Sequence, residues 1–410
     1  MQAHAKVWLV SAVLGLFGCA QAVSDAPQRK SNRQTANGGD DSPYGDSSPY
    51  GGSRNMGSGG LIGKGGAAPA VAGSAGRAGG GAGGAGGTGG SAALAGAGNS
   101  APAGSAGTNA ETADCPTLTR VRLASGECVE RITEFAVAKA PTSIVTGSDG
   151  QVWFDDVDSN QLVQLDLEGR ALKRINCAAG SSPRALVGGS GDTLVWYTDA
   201  GAKKLYKQAQ TTDWNFELGF TPTAMILGDD DDLWAVEADK GLYQVRPYVT
   251  ITPYGETPGN ALVLGPDGLV WFPNGAGISQ LIPGQGTKFF PTSPNLADDL
   301  CVGPDGAFWF TDGRRDQIVR MDTHGKTQAF DLPLKSWPTR IVKGQDGALW
   351  FIEANGDKIG RITVQGKITQ YPIPTSGGSP WALTVGGDRN IWFTERSSGK
   401  IGRLLMDPAG

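Results

Sequence analysis

The chain has 410 residues and a formal net charge of −5, and 64 of its residues are glycine. The negative balance disfavours general nucleic-acid binding, which needs a basic surface. Five cysteines and two histidines occur without a Cys-x-x-Cys pair or a Cys/His set, so a zinc site is not expected.

Residues 1–19 have the features of an export signal. Lys6 supplies a positive charge, and residues 7–17 form an apolar run too short to span a bilayer. The run ends in Leu-Phe-Gly-Cys, which resembles a bacterial lipobox whose cysteine, Cys19, becomes the lipidated first residue. The alternative is an ordinary signal peptide with a chance cysteine. We therefore predict an exported protein that is lipid-anchored in the cell envelope, with the outer membrane preferred, and that contacts the membrane through this anchor alone.

Residues 20–113 are rich in glycine, alanine and serine and nearly lack large apolar side chains. Such a segment cannot bury enough surface to offset chain entropy, so a disordered tether is predicted. Residues 114–130 lead into the folded domain and contain Cys115 and Cys128, which are predicted to form a local disulfide in an exported protein. Cys177 and Cys301 are interpreted as separate thiols that act as small hydrophobes.

Seven tryptophans recur in the rest of the chain at intervals of 37 to 43 residues. A period near 40 with one tryptophan per unit is typical of a repeated β-unit. We interpret these side chains as packing between units. They are Trp153, Trp196, Trp234, Trp271, Trp309, Trp350 and Trp392.

The clearest unit predicts four short strands, at residues 340–343, 348–352, 358–363 and 367–371, with an Asp-Gly hairpin turn after the first. Four antiparallel strands per period make a propeller blade, so residues 131–410 are predicted to form an all-β, seven-bladed propeller. The segment 131–135 matches the outer strand of this unit, whereas the last unit stops after its third strand. The N-terminal segment is therefore predicted to close the ring and cover the open sheet edge.

The clearest repeat of the unit reads Pro-x-x-Ile-x-x-Gly-x-Asp-Gly-x-x-Trp-Phe-x-Glu and then Lys-Ile-Gly-Arg-Ile, at residues 338–362. It resembles the streptogramin lyase (virginiamycin B lyase) family of seven-bladed propellers. Residues 392–404 carry the same pattern, and residues 305–321 carry it less closely. The repeat indicates the fold rather than the activity, because each blade carries it for structural reasons.

In a blade of this strand order, the loop after the second strand and the link into the next blade share the face around the axial funnel. Acids that end second strands are therefore candidates for binding Mg²⁺ or Ca²⁺. The alternative is that they only accept hydrogen bonds from neighbouring loops. The metal candidates are Asp312, Glu353 and Glu395, of which Glu353 and Glu395 are also catalytic candidates; Asp155, Asp199 and Glu237 occupy similar places.

Arginine and tryptophan on the same face indicate a polar ligand. Arginine offers a fork for carboxylates or phosphates, and tryptophan offers a stacking face for a sugar or macrocycle. A small molecule, glycan or peptide is the expected partner, and the domain is expected to be a monomer. The ligand candidates are Arg184, Trp337, Arg340, Trp381, Asn355 and Arg396, with Asp298 and Asp299 beside them.

The resemblance implies a lyase that uses a histidine base and a Glu-bound Mg²⁺ in its funnel. Here the two histidines are His4, in the signal segment, and His324, in a turn on the opposite face. The family's Glu-x-His becomes Glu353-Ala354-Asn355 and Glu395-Arg396-Ser397. The sequence therefore predicts a ligand-binding propeller without histidine-dependent catalysis. The alternative is a Mg²⁺-assisted lyase, of the C–O bond-eliminating type, or a hydrolase that uses funnel carboxylates.

Overall fold

The structure, a computed structural model, describes residues 118–123, 125–177, 181–228, 232–246, 249–256, 258–275, 277–293 and 295–406. The predicted signal and Cys19, the glycine-rich tether and Cys115 lie outside these ranges. The described residues form strands and turns, and no helix among them is long and apolar enough to cross a membrane.

A short hairpin precedes the ring. It consists of β1 (Arg120–Arg122) and β2 (Cys128–Glu130), and β3 (Ile132–Phe135) follows it. Cys128 is disulfide-bonded.

Seven four-stranded antiparallel sheets then follow in chain order, which confirms the predicted all-β propeller. Blade 1 contains β4 (Pro141–Thr146), β5 (Val152–Asp156), β6 (Gln161–Leu165) and β7 (Ala171–Asn176). Blade 2 contains β8 (Pro183–Gly188), β9 (Thr193–Asp199), β10 (Lys204–Ala209) and β11 (Trp214–Glu217). Blade 3 contains β12 (Ala224–Leu227), β13 (Leu233–Glu237), β14 (Gly241–Arg246) and β15 (Thr250–Tyr254). Blade 4 contains β16 (Val263–Leu264), β17 (Val270–Asn274), β18 (Gly277–Ile282) and β19 (Gly286–Pro291).

The last three blades are the most regular. Blade 5 contains β20 (Asp299–Val302), β21 (Phe308–Asp312), β22 (Gln317–Met321) and β23 (Thr327–Asp331). Blade 6 contains β24 (Pro338–Lys343), β25 (Ala348–Glu353), β26 (Lys358–Thr363) and β27 (Ile368–Pro372). These four strands match the prediction to within two residues at each end. Blade 7 contains β28 (Pro380–Val385), β29 (Ile391–Glu395) and β30 (Lys400–Leu404), with β3 as its outer strand.

The ring closes as predicted. Strand β3 pairs antiparallel with β30 in a register that runs from Ile132 opposite Leu404 to Phe135 opposite Ile401. A backbone hydrogen bond from Leu405 to Arg131, and one from the Arg131 guanidinium to the Leu405 carbonyl, extend the closure by one step. The closing strand therefore hides the sheet edge that blade 7 would otherwise expose.

The repeated motif is a packing unit in each regular blade. In blade 6, the Trp350 indole is 1 % exposed and donates its N–H to Asp346 of the Asp-Gly turn, 3.2 Å away. Arg361 donates to the other oxygen of Asp346 at 2.7 Å and lies over the indole ring. The glycine of Lys-Ile-Gly-Arg-Ile, Gly360, is required because a Cβ there would lie 2.2 Å from the Phe351 ring. The tryptophan, aspartate, arginine and glycine of the repeat thus account for blade packing.

Candidate functional site

The inner strands of all seven blades line a channel of about 170 Å³ on the ring axis. Each inner strand starts at the funnel face, where the links between blades and the turns after the second strands meet. Near its mouth the wall is a ring of mostly small side chains, one per blade. They are Ser143, Ala185, Ala224, Ala261, Asp299, Arg340 and Ala382.

Asp299 and Arg340 are the charged residues of this wall among the described lining residues. The Arg340 Nη1 atom is 3.8 Å from Asp299 Oδ1, which is longer than a hydrogen bond. Asp299 Oδ2 accepts the backbone N–H of Ile341 at 3.0 Å. Burial raises the pKa of Asp299, and the opposing pull of Arg340 only partly offsets it. The pair is therefore loose, and the arginine side chain stays 38 % exposed.

Trp337 lies three residues before Arg340, in the link from blade 5 into blade 6. It is 46 % exposed and has a left-handed backbone conformation with φ of 51°. The backbone N–H of Trp337 donates to the Asp316 carboxylate at 2.8 Å, and this hydrogen bond holds the conformation in place. A bulky side chain in this backbone region is rare and costs about 1 kcal/mol or more, and burial in the core does not repay it here. Leu334, in the same link between blades 5 and 6, is 90 % exposed.

Trp381 is the second exposed rim tryptophan, at 42 %. The Arg396 guanidinium lies 4.9 Å from its ring centre, so two of the predicted ligand candidates form one cation–π pair. Asn355 is exposed in the turn after β25. Arg184 is exposed in blade 2 and donates to the Ser182 hydroxyl at 3.2 Å. Five of the six candidates therefore belong to blades 6 and 7, and Arg184 belongs to a different sector.

The predicted metal ligands do not form one cluster. The Asp312 carboxylate accepts the N–H of Leu296 at 3.1 Å and an amide hydrogen of Asn295 at 3.2 Å, both from the link into blade 5. Both oxygens of Glu353 accept from the Gln370 amide at 2.7 Å. Each carboxylate is fully buried in its own blade.

Across the described part of the chain, no group of three or more His, Cys, Asp or Glu side chains is arranged to hold a metal ion. The donor set expected for a family-type Mg²⁺ therefore does not fit. The second-strand acids act instead as acceptors that fix loops and links, which was the alternative weighed for them.

Glu395 differs from Glu353 because a different side chain of the outer strand faces it. The place of Gln370 is taken in blade 7 by Glu134, from the closing strand β3. The Glu395 carboxyl accepts a hydrogen bond from Ser398 at 2.9 Å, but its Oε1 receives none from any described residue. Burial and the neighbouring Glu134 raise the pKa of Glu395 to about 7.

Glu134 takes the opposite charge state. Burial alone would raise its pKa, but hydrogen bonds from Lys400, at 2.6 Å, and Thr375 outweigh burial and lower it. The pair therefore consists of an ionised Glu134 beside a Glu395 that holds its proton near neutral pH. Glu395 is fully buried, so a substrate on the funnel face does not reach its carboxyl directly.

In blade 1, the acid at the end of the second strand lies one residue later than predicted. Asp156, not Asp155, lies opposite the proline that starts the inner strand, as Glu353 and Glu395 do. Asp155 occupies the preceding position, which is Thr311 in blade 5 and Thr394 in blade 7. It accepts the backbone N–H groups of Thr142 and Ser143, both at 2.7 Å, and burial raises its pKa to about 6. Because Asp155 and Asp156 are adjacent acids, the sequence alone does not show which of them lies opposite Pro141.

The remaining predictions concern histidine and cysteine. His324 lies in the turn between β22 and β23, at the end of the blade opposite the funnel face, as predicted. Cys177 is a half-buried thiol and Cys301 is fully buried, and neither belongs to a disulfide. Burial raises the pKa of the Cys177 thiol to about 11, so it is protonated and unreactive near neutral pH.

Comparison with known proteins supports the resemblance. The model of the virginiamycin B lyase family matches residues 247–409, which cover the outer strand of blade 3, blades 4 to 6 and three of the four strands of blade 7. No curated protein matches significantly. A streptogramin B lyase structure is similar at 26 % identity with a TM-score of 0.60, over 67 % of this chain and 97 % of that one.

Two further structures of virginiamycin B lyase from Staphylococcus aureus are similar at 23 % and 24 % identity, both with a TM-score of 0.59. Each likeness covers 67 % of this chain and 99 % of the other. The second is a catalytically inactive His-to-Ala variant with quinupristin. At this sequence identity, the two similarities are evidence for the fold alone.

Proposed function

Taking the ring as a streptogramin lyase-like propeller, we propose that it is a ligand-binding module that lacks the histidine-dependent catalysis of that family. The observation that carries this proposal is the composition of the funnel face in blades 6 and 7. Trp337 and Trp381 are exposed there beside the cations Arg340 and Arg396. The described residues of that face include no histidine, since the chain's second histidine is His324 at the opposite end of blade 5.

The exposed tryptophans support binding because they are not needed for the fold. The seven repeated tryptophans already supply packing within and between blades, and Trp337 keeps an unfavourable backbone conformation while remaining half exposed. Aromatic faces next to guanidinium groups are a common arrangement for binding flat, polar ligands. A small molecule, glycan or peptide is the proposed ligand, held at the mouth of the axial channel.

The proposed setting is the cell envelope. The lipobox-like Cys19 and the glycine-rich segment 20–113 support a domain that is exported and tethered by a lipid. Globomycin treatment of cells that express the full chain, followed by mass spectrometry of the N-terminal peptide, tests this. A mature protein that starts after an ordinary signal cleavage, with an unmodified Cys19, would refute the anchor.

The absence of catalysis is tested with quinupristin, the compound bound in one of the similar structures. That structure is of a His-to-Ala variant that is catalytically inactive, so the similar lyase depends on a histidine. We expect the purified chain to leave quinupristin unchanged in the presence of Mg²⁺, as read by chromatography and mass spectrometry. A ring-opened product would refute the non-catalytic proposal.

One observation favours the alternative, a carboxylate-based lyase or hydrolase. Glu395 titrates near neutral pH, as a general base should. Its burial opposes this role. If turnover is found, Glu395→Gln should abolish it, and unchanged turnover in that variant would remove Glu395 from consideration.

A further inference from the structure

The channel mouth contains one guanidinium whose hydrogen-bonding capacity is largely unused. Arg340 is the cation among the described residues that line the channel, and five of the seven positions in its ring are alanine or serine-sized. Packing does not require a charged side chain in this wall, because five of the other six inner strands close the same ring with an alanine or a serine.

Its ion pair with Asp299 leaves donors available. The 3.8 Å separation is too long for a hydrogen bond, and the second oxygen of Asp299 is already engaged by the Ile341 N–H. A guanidinium has five N–H donors in a planar fork that matches two oxygens of one oxyanion. A ligand oxyanion would therefore gain a geometry that Asp299 does not provide.

The surroundings set the rest of the ligand. Small alanine side chains beside Arg340 leave space for an oxyanion within the 170 Å³ channel. Trp337 lies three residues earlier and is 46 % exposed, so its free face is the one we assign to a flat apolar group attached to the oxyanion. Exposed Arg396 beside Trp381 adds positive charge to the same sector.

We propose that Arg340 binds the oxyanion of the ligand, a carboxylate or phosphate carried by an aromatic or similarly flat group, at the mouth of the channel. This rests on the proposed binding function. Asp299 opposes the incoming charge, so it lowers affinity and favours ligands whose fit to Trp337 compensates for the repulsion.

The test uses the full chain and three matched probes: phenylacetate, phenyl phosphate and the neutral benzyl alcohol. Binding is followed by tryptophan fluorescence and by NMR of the ligand. We expect both anions to bind more tightly than benzyl alcohol, and Arg340→Gln to weaken the anions by about tenfold, the loss of one charge-assisted pair. Whichever anion binds more tightly identifies the source of the oxyanion.

Asp299→Asn keeps an acceptor for the Ile341 N–H and removes the competing charge. We expect it to tighten both anions severalfold and to leave benzyl alcohol unchanged. It also keeps the proposal testable if Arg340→Gln fails to fold. Arg389→Gln, in an exposed turn at the opposite end of blade 7, is the control and should change nothing.

Two outcomes overturn the proposal. In one, neither anion binds at millimolar concentration. In the other, anions bind but neither Arg340→Gln nor Asp299→Asn changes their affinity. In that second case, if Trp337→Ala or Trp381→Ala still abolishes binding, the funnel face binds ligands as proposed and only the oxyanion assignment fails.

Discussion

At the scale of single residues, one substitution separates two otherwise equivalent blades. Glu353 and Glu395 end corresponding strands and are both fully buried. Glu353 faces the amide of Gln370, whereas Glu395 faces the carboxylate of Glu134. The amide donates to both oxygens of its partner, whereas two carboxyl groups form a hydrogen bond with each other only if one of them holds a proton. The acid pair of blade 7, where the ring closes, therefore needs a proton to form a hydrogen bond. The amide–acid pair of blade 6 does not.

This difference predicts a pH-dependent stability. The pKa of Glu395 rises from its ordinary 4.5 to about 7 on folding, so its contribution is complete below pH 4.5 and is lost as the pH rises through 7. We expect the free energy of unfolding to fall by about 2 kcal/mol between about pH 5 and pH 8, and Glu134→Gln to reduce this slope in part, because burial is the larger cause of the raised pKa of Glu395. Chemical denaturation across this range measures it.

A reciprocal variant is the control. Gln370→Glu places the same acid pair in blade 6 and should add a second slope of the same sign. If both variants keep the slope of the unaltered chain, the acid pair is not its origin. The lowered pKa of Glu134 acts in the opposite direction and costs stability only as the pH falls below 4.5.

At the scale of the strand, blades 6 and 7 need glycine on the third strand opposite the phenylalanine of the second strand. A Cβ on Gly402 would lie 2.1 Å from the Phe393 ring, and one on Gly360 would lie 2.2 Å from the Phe351 ring. The aromatic ring therefore lies flat on the neighbouring backbone, which brings adjacent strands of the blade into close contact.

Gly402→Ala should therefore destabilise the domain by about 1–3 kcal/mol, because the Phe393 ring must move out of a packed site. Gly255→Ala is the matched control, since a Cβ there meets nothing within 4 Å. It should change stability by less than about 0.5 kcal/mol. Thermal unfolding of both variants decides this, and equal effects would contradict the packing argument.

Much of this element-level structure was predictable, because it is local. The tryptophan period, the Asp-Gly turns and the pairing of β3 with blade 7 can all be read from repeated short patterns. The partners of the acids could not be read this way. Asp312 is held by Asn295 and Leu296 of the preceding link, and Glu395 is paired with Glu134 from the other end of the ring. Sequence periodicity predicts the face of the blade on which a side chain lies, but it does not show which neighbouring group forms its hydrogen bonds.

At the scale of the whole molecule, the ring is closed by strand β3, which no hairpin turn connects to its neighbour β30. The outer strand β23 of blade 5 follows β22 through a short turn, whereas β3 joins β30 from the opposite end of the domain. Both place a phenylalanine on the tryptophan of the blade. Phe330 lies 5.5 Å from Trp309, and Phe135 lies 5.7 Å from Trp392, measured between ring centres.

These two phenylalanines allow a direct test of closure. Phe135→Ala should speed amide hydrogen exchange along both β3 and β30 as a unit, because the closing strand detaches once its anchor is weakened. Phe330→Ala should lower global stability with a smaller local effect on β22 and β23. Exchange that rises equally in the two blades would show that the closing strand is no weaker than a hairpin.

The closing strand also determines how a pull on the chain would act. Anything that draws on the residues before β1 reaches the ring through β2 and then through β3, which lies alongside β30 in four paired positions. Tension along that strand loads its hydrogen bonds together in shear, an arrangement that resists extension well until all of them give way at once. The same strand carries Glu134, so deprotonation of Glu395 would lower the force at which it slips. We therefore expect the force needed to detach the closing strand to fall as the pH rises through about 7.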